Sequence, residues 1–202
     1  MSYERHNIKS VSKDLQKFVI NTPVLRFDII DSLCNCNVFF KCENFQHTGS
    51  FKYRAAINAI KKMPVEFKQT GVITHSSGNF AHALARAAYE LKIPCHIVMP
   101  NNTPNFKKSS VLSYTKNVIE CESNLKAREF TTSEILKNKN LYFIHPSNNM
   151  DVILGNSSCA LEFVNDYPNL DFIFSPIGGG GLIAGTSIAI NNFSENCQVI
   201  GA

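Results

Sequence analysis

Short apolar runs alternate with stretches of helical length from residue 38 to residue 201, and this constrains the fold more than any other feature. The pattern predicts strands over 38–42, 72–75, 95–99, 117–122, 142–145, 172–177 and 198–201. It predicts helices over 51–62, 79–91, 106–114, 125–137, 152–165 and 182–190. Strands that alternate with helices of this length build a parallel sheet covered on both faces. In such sheets ligands sit beyond the carboxyl ends of the strands, where the strand-to-helix turns meet. Two turns with unusual chemistry fall there, His75-Ser76-Ser77-Gly78-Asn79 and the run Gly178 to Gly181.

Composition removes several classes of function. With 202 residues, 44% of them hydrophobic, the chain can bury a sizeable core. The formal charge of +4 is spread without a long basic run, which argues against nucleic acid as a partner. Cysteines at 34, 36, 42, 95, 121, 159 and 197 form no CxxC pair and no Cys/His ligand spacing, so no metal site is expected within this chain. Their odd number, with a polar start MSYERHNIKS that lacks an apolar leader, reads as reduced thiols in a cytoplasmic protein. Residues 173–190 carry no charge, but four consecutive glycines with Pro176 and two serines fit strand, loop and helix rather than a membrane span.

Three motifs carry chemistry. Gly49-Ser50-Phe51-Lys52-Tyr53-Arg54 sets a lysine at the first turn of a predicted helix, where the partial positive charge of the helix end disfavours the ammonium form. A lysine pushed toward the neutral amine can form Schiff bases; the alternative is a solvated helix-start lysine. Gly178, Gly179, Gly180 and Gly181 follow the apolar run DFIFSPI and open a helix, so bare amides can close on a phosphate. No Gly-Lys-Ser/Thr follows, which excludes a Walker A loop. A flexible turn or close helix packing also fits the run, and a dinucleotide-binding module rests on it and the alternation alone. Ser76, Ser77, Gly78 and Asn79 form the second turn, whose exposed amides suit a carboxylate; Ser76 or Ser77 also fits a plain N-cap. His47, His75 and His82 lack the spaced partners of a metal site or triad and read as turn or helix residues.

In this order and at this spacing, GSFKYR, HSSGNFA and GGGG resemble the pyridoxal-phosphate enzymes of the tryptophan-synthase-β fold type (fold type II). Within that group the serine racemases and serine/threonine dehydratases look nearest, and the resemblance runs from Thr22-Pro23 to the last residue. It implies an α/β fold of two parallel-sheet domains with the cofactor between them. The smaller would be residues 71–148; the larger would be residues 1–70 and 149–202, left incomplete. The chain stops on a predicted core strand where such relatives continue, so it looks C-terminally truncated.

By that resemblance Lys52 joins pyridoxal 5'-phosphate in a Schiff base and then shuttles the substrate α-proton. Asn79 meets the phenolic oxygen of the cofactor, and Gly178 to Gly181 with Leu182 form its phosphate cup. Ser76, Ser77, Gly78, Asn79 and Arg128 hold the substrate carboxylate. Ser77 also faces the α-carbon opposite the lysine, since racemisation needs bases on both faces while elimination needs one. Arg128 fits a solvated helix arginine as well. Phe80 stands where the family has histidine, Ala55 where it has glycine, and Ser147, after His145-Pro146, where it has asparagine. The family's partner for the ring nitrogen, and the divalent-cation site of full-length relatives, lie beyond residue 202.

The implied activity is dehydration of serine or threonine to a 2-oxo acid and ammonia, with serine racemisation as a parallel outcome. The substrate class is small hydroxy-amino acids, with no nucleic acid or membrane partner and a homodimer at full length. Two alternatives are a truncated, non-catalytic fragment and a cysteine-synthase-like β-replacement enzyme. Tyr53 stands against the latter, whose lysine motif carries aspartate at that position.

Overall fold

The computed structural model describes residues 5–202; the part of the polar start on residues 1–4 lies outside them. The chain opens with α1 (Arg5–Leu15), which sequence reading left unassigned. Its average character is polar, yet Ile8, Val11 and Leu15 recur at helical spacing and are buried. Burial of one such side chain contributes about 1.5–3 kcal/mol, enough for three of them to dock the helix.

Strands β1 (Val24–Arg26) and β2 (Phe39–Lys41) enclose the short helix α2 (Asp28–Cys34) and pair antiparallel. This antiparallel pair stands beside the parallel strands that the alternation predicts. Helix α3 (Lys52–Lys62) leads to β3 (Val72–His75), α4 (Asn79–Glu90), β4 (Cys95–Pro100), α5 (Asn105–Leu112), β5 (Asn117–Cys121), α6 (Leu125–Asn138) and β6 (Tyr142–Phe143). Then come α7 (Met150–Asp166), β7 (Phe172–Ser175), α8 (Gly181–Phe193) and β8 (Gln198–Gly201).

The four strands between residues 72 and 143 form one parallel sheet in the order β5-β4-β3-β6. The central strands β3 and β4 are buried along their whole length, which is why they read as continuous apolar runs. Val72, Cys95, Ile97 and Met99 face α4 and α5, while Ile73 and Val98 face α6. The chain leaves β3 on one side, builds β4 and β5, and returns to β6 on the other. The order therefore reverses between β3 and β6, and a ligand crevice belongs beyond their carboxyl ends.

Strands β7 and β8 pair in parallel as a separate ribbon. Ile173 and Val199 share one cluster with Val24, Phe39, Leu161 and Ile190, whereas Phe172, Phe174 and Ile200 are exposed. Helices α3, α7 and α8 touch backbone to backbone. A Cβ on Gly155 would lie 2.6 Å from the Arg54 carbonyl oxygen, and one on Gly185 would lie 2.5 Å from that of Ile153. No helix among the described residues is long and apolar enough to cross a membrane.

Candidate active site

Lys52 is the first residue of α3. Thr48, at φ 62°, and Gly49, at φ 72°, turn the chain sharply before it. A β-branched residue rarely adopts such a conformation. Arg54 anchors the helix one turn on. Its fully buried guanidinium holds Glu43 at 2.8 Å and Glu162 at 2.7 Å, and donates to the Ile20 carbonyl at 3.1 Å. Burial works against this charge, but the two carboxylates outweigh it and raise the Arg54 pKa.

The Lys52 Nζ donates to the Pro146 carbonyl oxygen at 3.2 Å and lies 4.9 Å from the Phe51 ring centre and 5.9 Å from that of Phe80. Burial pushes its pKa below the ordinary lysine value. The direction is the one expected from the sequence, and loss of water adds a cause that the sequence did not show.

Pro146 belongs to a tight turn after β6. His145 Nδ1 accepts from the amides of Ser147 at 3.1 Å and Asn148 at 2.7 Å. Ser147 in turn packs on the glycine run, where a Cβ on Gly179 would lie 2.5 Å from Ser147 Oγ and one on Gly181 would lie 3.2 Å from Ser147 Cα. Gly180 caps α8 at φ 82°, with no side-chain cap, and Leu182 follows in the first turn. Around Gly178 and Gly180 no neighbour comes within 4 Å of a Cβ position, so the run is packed on one side and open on the other. Asn156 of α7, fully buried beneath Gly181, has neither amide atom hydrogen-bonded.

The third motif meets the same place. Gly78 caps α4 without a side-chain cap, and its amide donates to Ser76 Oγ at 3.4 Å. Ser76 and Ser77 are therefore not helix caps. By contrast, Asn124 and Asn149 cap α6 and α7 through their side chains. Ser76, Ser77 and Gly78 are half-buried, Asn79 is exposed, and Phe80 lies under Lys52. Arg128 on α6 has a buried Nε without a hydrogen-bond partner. Burial holds the His75 pKa down, helped by His145 and by the Arg128 charge, against Glu129. Arg128 thus lies close enough to the end of β3 for its charge to act on His75.

Lys52 and the glycine run converge on the turn at residues 145–148, and the Ser76 to Asn79 turn is flanked by His75 beside His145 and Phe80 beside Lys52. The sequence motifs give neither His145 nor Phe80 a role, although His145 closes a predicted strand ahead of a proline. His75 ends β3, as the predicted strand over 72–75 has it, and is not a helix residue. Among the described residues no group of three or more His, Cys, Asp or Glu is placed to hold a metal ion. A half-buried amine of lowered pKa, joined through the 145–148 turn to an uncapped, glycine-lined helix start, fits a phosphate-bearing aldehyde.

Residues 15–202 match the family model described as pyridoxal-phosphate dependent enzyme. The chain is 39% identical over 196 residues to serine racemase of Dictyostelium discoideum, covering 97% of this chain and 60% of that protein. It is 39% identical over 188 residues to β-hydroxyaspartate dehydratase of Paracoccus denitrificans, covering 93% and 60%. The structure of maize serine racemase superposes with a TM-score of 0.96 at 35% identity, over 100% of this chain and 61% of that one. The chain thus spans about 60% of the length of these curated relatives. A match over nearly every residue, with the lysine and the glycine run brought to one crevice, makes this chain a member of the pyridoxal-phosphate dependent enzyme family with the fold of the serine racemases.

Proposed function

We propose that the chain carries the cofactor and substrate machinery of a serine/threonine dehydratase, with serine racemisation as a parallel activity. The observation that carries the reading is the joint seat of Lys52 and the glycine run on the Pro146-Ser147 turn. Bound there, pyridoxal phosphate supplies an electron sink for negative charge that develops at the substrate α-carbon.

The chain's own residues do the rest. Main-chain amides of Gly178 to Gly181 and Leu182 hold the phosphate, and the Asn79 side chain orients the ring through its phenolic oxygen. Lys52, with its lowered pKa, exists more readily as the free amine that accepts the α-proton. The Ser76, Ser77 and Gly78 turn, with Arg128 behind it, binds the substrate carboxylate. Ser77 serves as the group on the opposite face. Expulsion of the β-hydroxyl as water leaves an aminoacrylate-type product, which water hydrolyses to a 2-oxo acid and ammonia. Residues 71–148 act as the smaller domain, since the four-stranded sheet lies wholly within them, and the flanking segments form the larger. Seven free cysteines fit a cytoplasmic setting.

The test is incubation of the 202-residue chain with pyridoxal phosphate and L-serine or L-threonine. Expected products are the 2-oxo acid and ammonia, with D-serine detected by chiral chromatography. Sulfide-dependent β-replacement without ammonia release would overturn the assignment. Cofactor binding without formation of 2-oxo acid would overturn it as well.

A further inference from the structure

We propose that His145 is a positioning residue of this site: as acceptor for the Ser147 and Asn148 amides, its Nδ1 clamps the turn that holds Pro146 against Lys52 and Ser147 against the glycine run. This rests on the reading of Lys52 as the cofactor-bearing lysine. Backbone amides can only donate, so Nδ1, at 3.1 and 2.7 Å from them, must accept and the ring proton must sit on Nε2. One ring nitrogen therefore fixes two successive amides. Between them and the ring lies Pro146, whose carbonyl receives the Lys52 Nζ. On the far side, Ser147 touches the positions of Gly179 and Gly181. Loss of the acceptor frees both contacts at once.

A proton on Nδ1 would turn the acceptor into a donor facing two donors, and the turn would open. The surroundings oppose that proton. Burial lowers the His145 pKa and the Lys52 charge adds to it, with Glu129 acting the other way. The His75 ring meets His145 edge-on at 5.6 Å and Phe143 lies at 6.1 Å, while Arg128 acts on His75 behind them. His145 thus stays a neutral acceptor at neutral pH, and the clamp is lost only as pH falls through its lowered folded value, which lies below 6.5.

The test compares the native chain with His145→Asn, whose Oδ1 takes the place of Nδ1 without titrating, and with His145→Leu, which has no acceptor. Two quantities are read: hydrogen exchange at the Ser147 and Asn148 amides, and the pH profile of pyridoxyl label fixed on Lys52 by borohydride. In His145→Leu the two amides should exchange roughly tenfold faster or more, as expected for two lost hydrogen bonds, and Lys52 labelling should fall at every pH. His145→Asn should restore both at neutral pH and keep more label than the native chain below pH 6.5. Native amide protection and labelling in His145→Leu would overturn the proposal, as would a His145→Asn profile identical to the native one. If Lys52 takes no label in any variant while the amides respond as stated, the cofactor reading fails and the clamp stands as a structural turn only.

Discussion

The amine of Lys52 donates to the main-chain carbonyl of Pro146 at 3.2 Å, a contact between residues 94 positions apart. It ties α3 to the turn beyond β6, and Ser147 carries the connection on to the N-terminus of α8. Cofactor affinity should therefore respond to packing between Ser147 and the glycines.

Gly179→Ala places a methyl group 2.5 Å from Ser147 Oγ and 2.8 Å from its Cβ. Forcing a methyl group into a packed site costs about 1–3 kcal/mol, so cofactor binding should weaken about tenfold or more. Ser147→Gly in the same chain removes both clashing atoms and should restore most of the affinity. A fluorescence titration with pyridoxal phosphate reads both. Equal affinity in native and Gly179→Ala chains would contradict the packed seat.

Arg54→Met leaves Glu43 without its buried cation and Glu162 with Lys41 alone. Breaking a buried pair in this way costs about 3–5 kcal/mol, which should appear as a large fall in the urea midpoint. Lys137→Met, at the exposed pair with Glu134, should barely move it. Similar midpoints for the two variants would show that the Arg54 network does not hold α3 in place.

Acid should destabilise the fold early. Burial holds His47, His75, His82, His96 and His145 below the ordinary value of 6.5. Below pH 6.5 the unfolded chain binds more protons than the folded one. The contribution is thus complete above that pH and is lost as pH drops through the folded values. Thermal midpoints should fall clearly between pH 7.5 and pH 5.5; an unchanged midpoint would contradict the burial of these rings.

Much of this was legible in the sequence because it resides in side-chain pattern. Strand ends at Val72, His75, Gln198 and Gly201 stand where the apolar runs placed them. Lys52, the serine turn and the glycine run were visible as motifs because their chemistry needs particular residue types. Helix α1 was hidden because its average is polar, although Ile8, Val11 and Leu15 carried the period. Strand β2 lies within the predicted strand 38–42, but its partner β1 was hidden because three residues leave too short a pattern and α2 separates the two. The turn at 145–148 works through two amides, one carbonyl and one ring nitrogen, and main-chain groups leave no mark in a sequence.

The central claim is that Lys52 is the residue that takes the cofactor. The most direct measurement is borohydride reduction of the purified chain after addition of pyridoxal phosphate, followed by peptide mass mapping. A pyridoxyl adduct confined to Lys52 and absent from Lys52→Ala is the expected result. No adduct, or label scattered over the surface lysines, would contradict it.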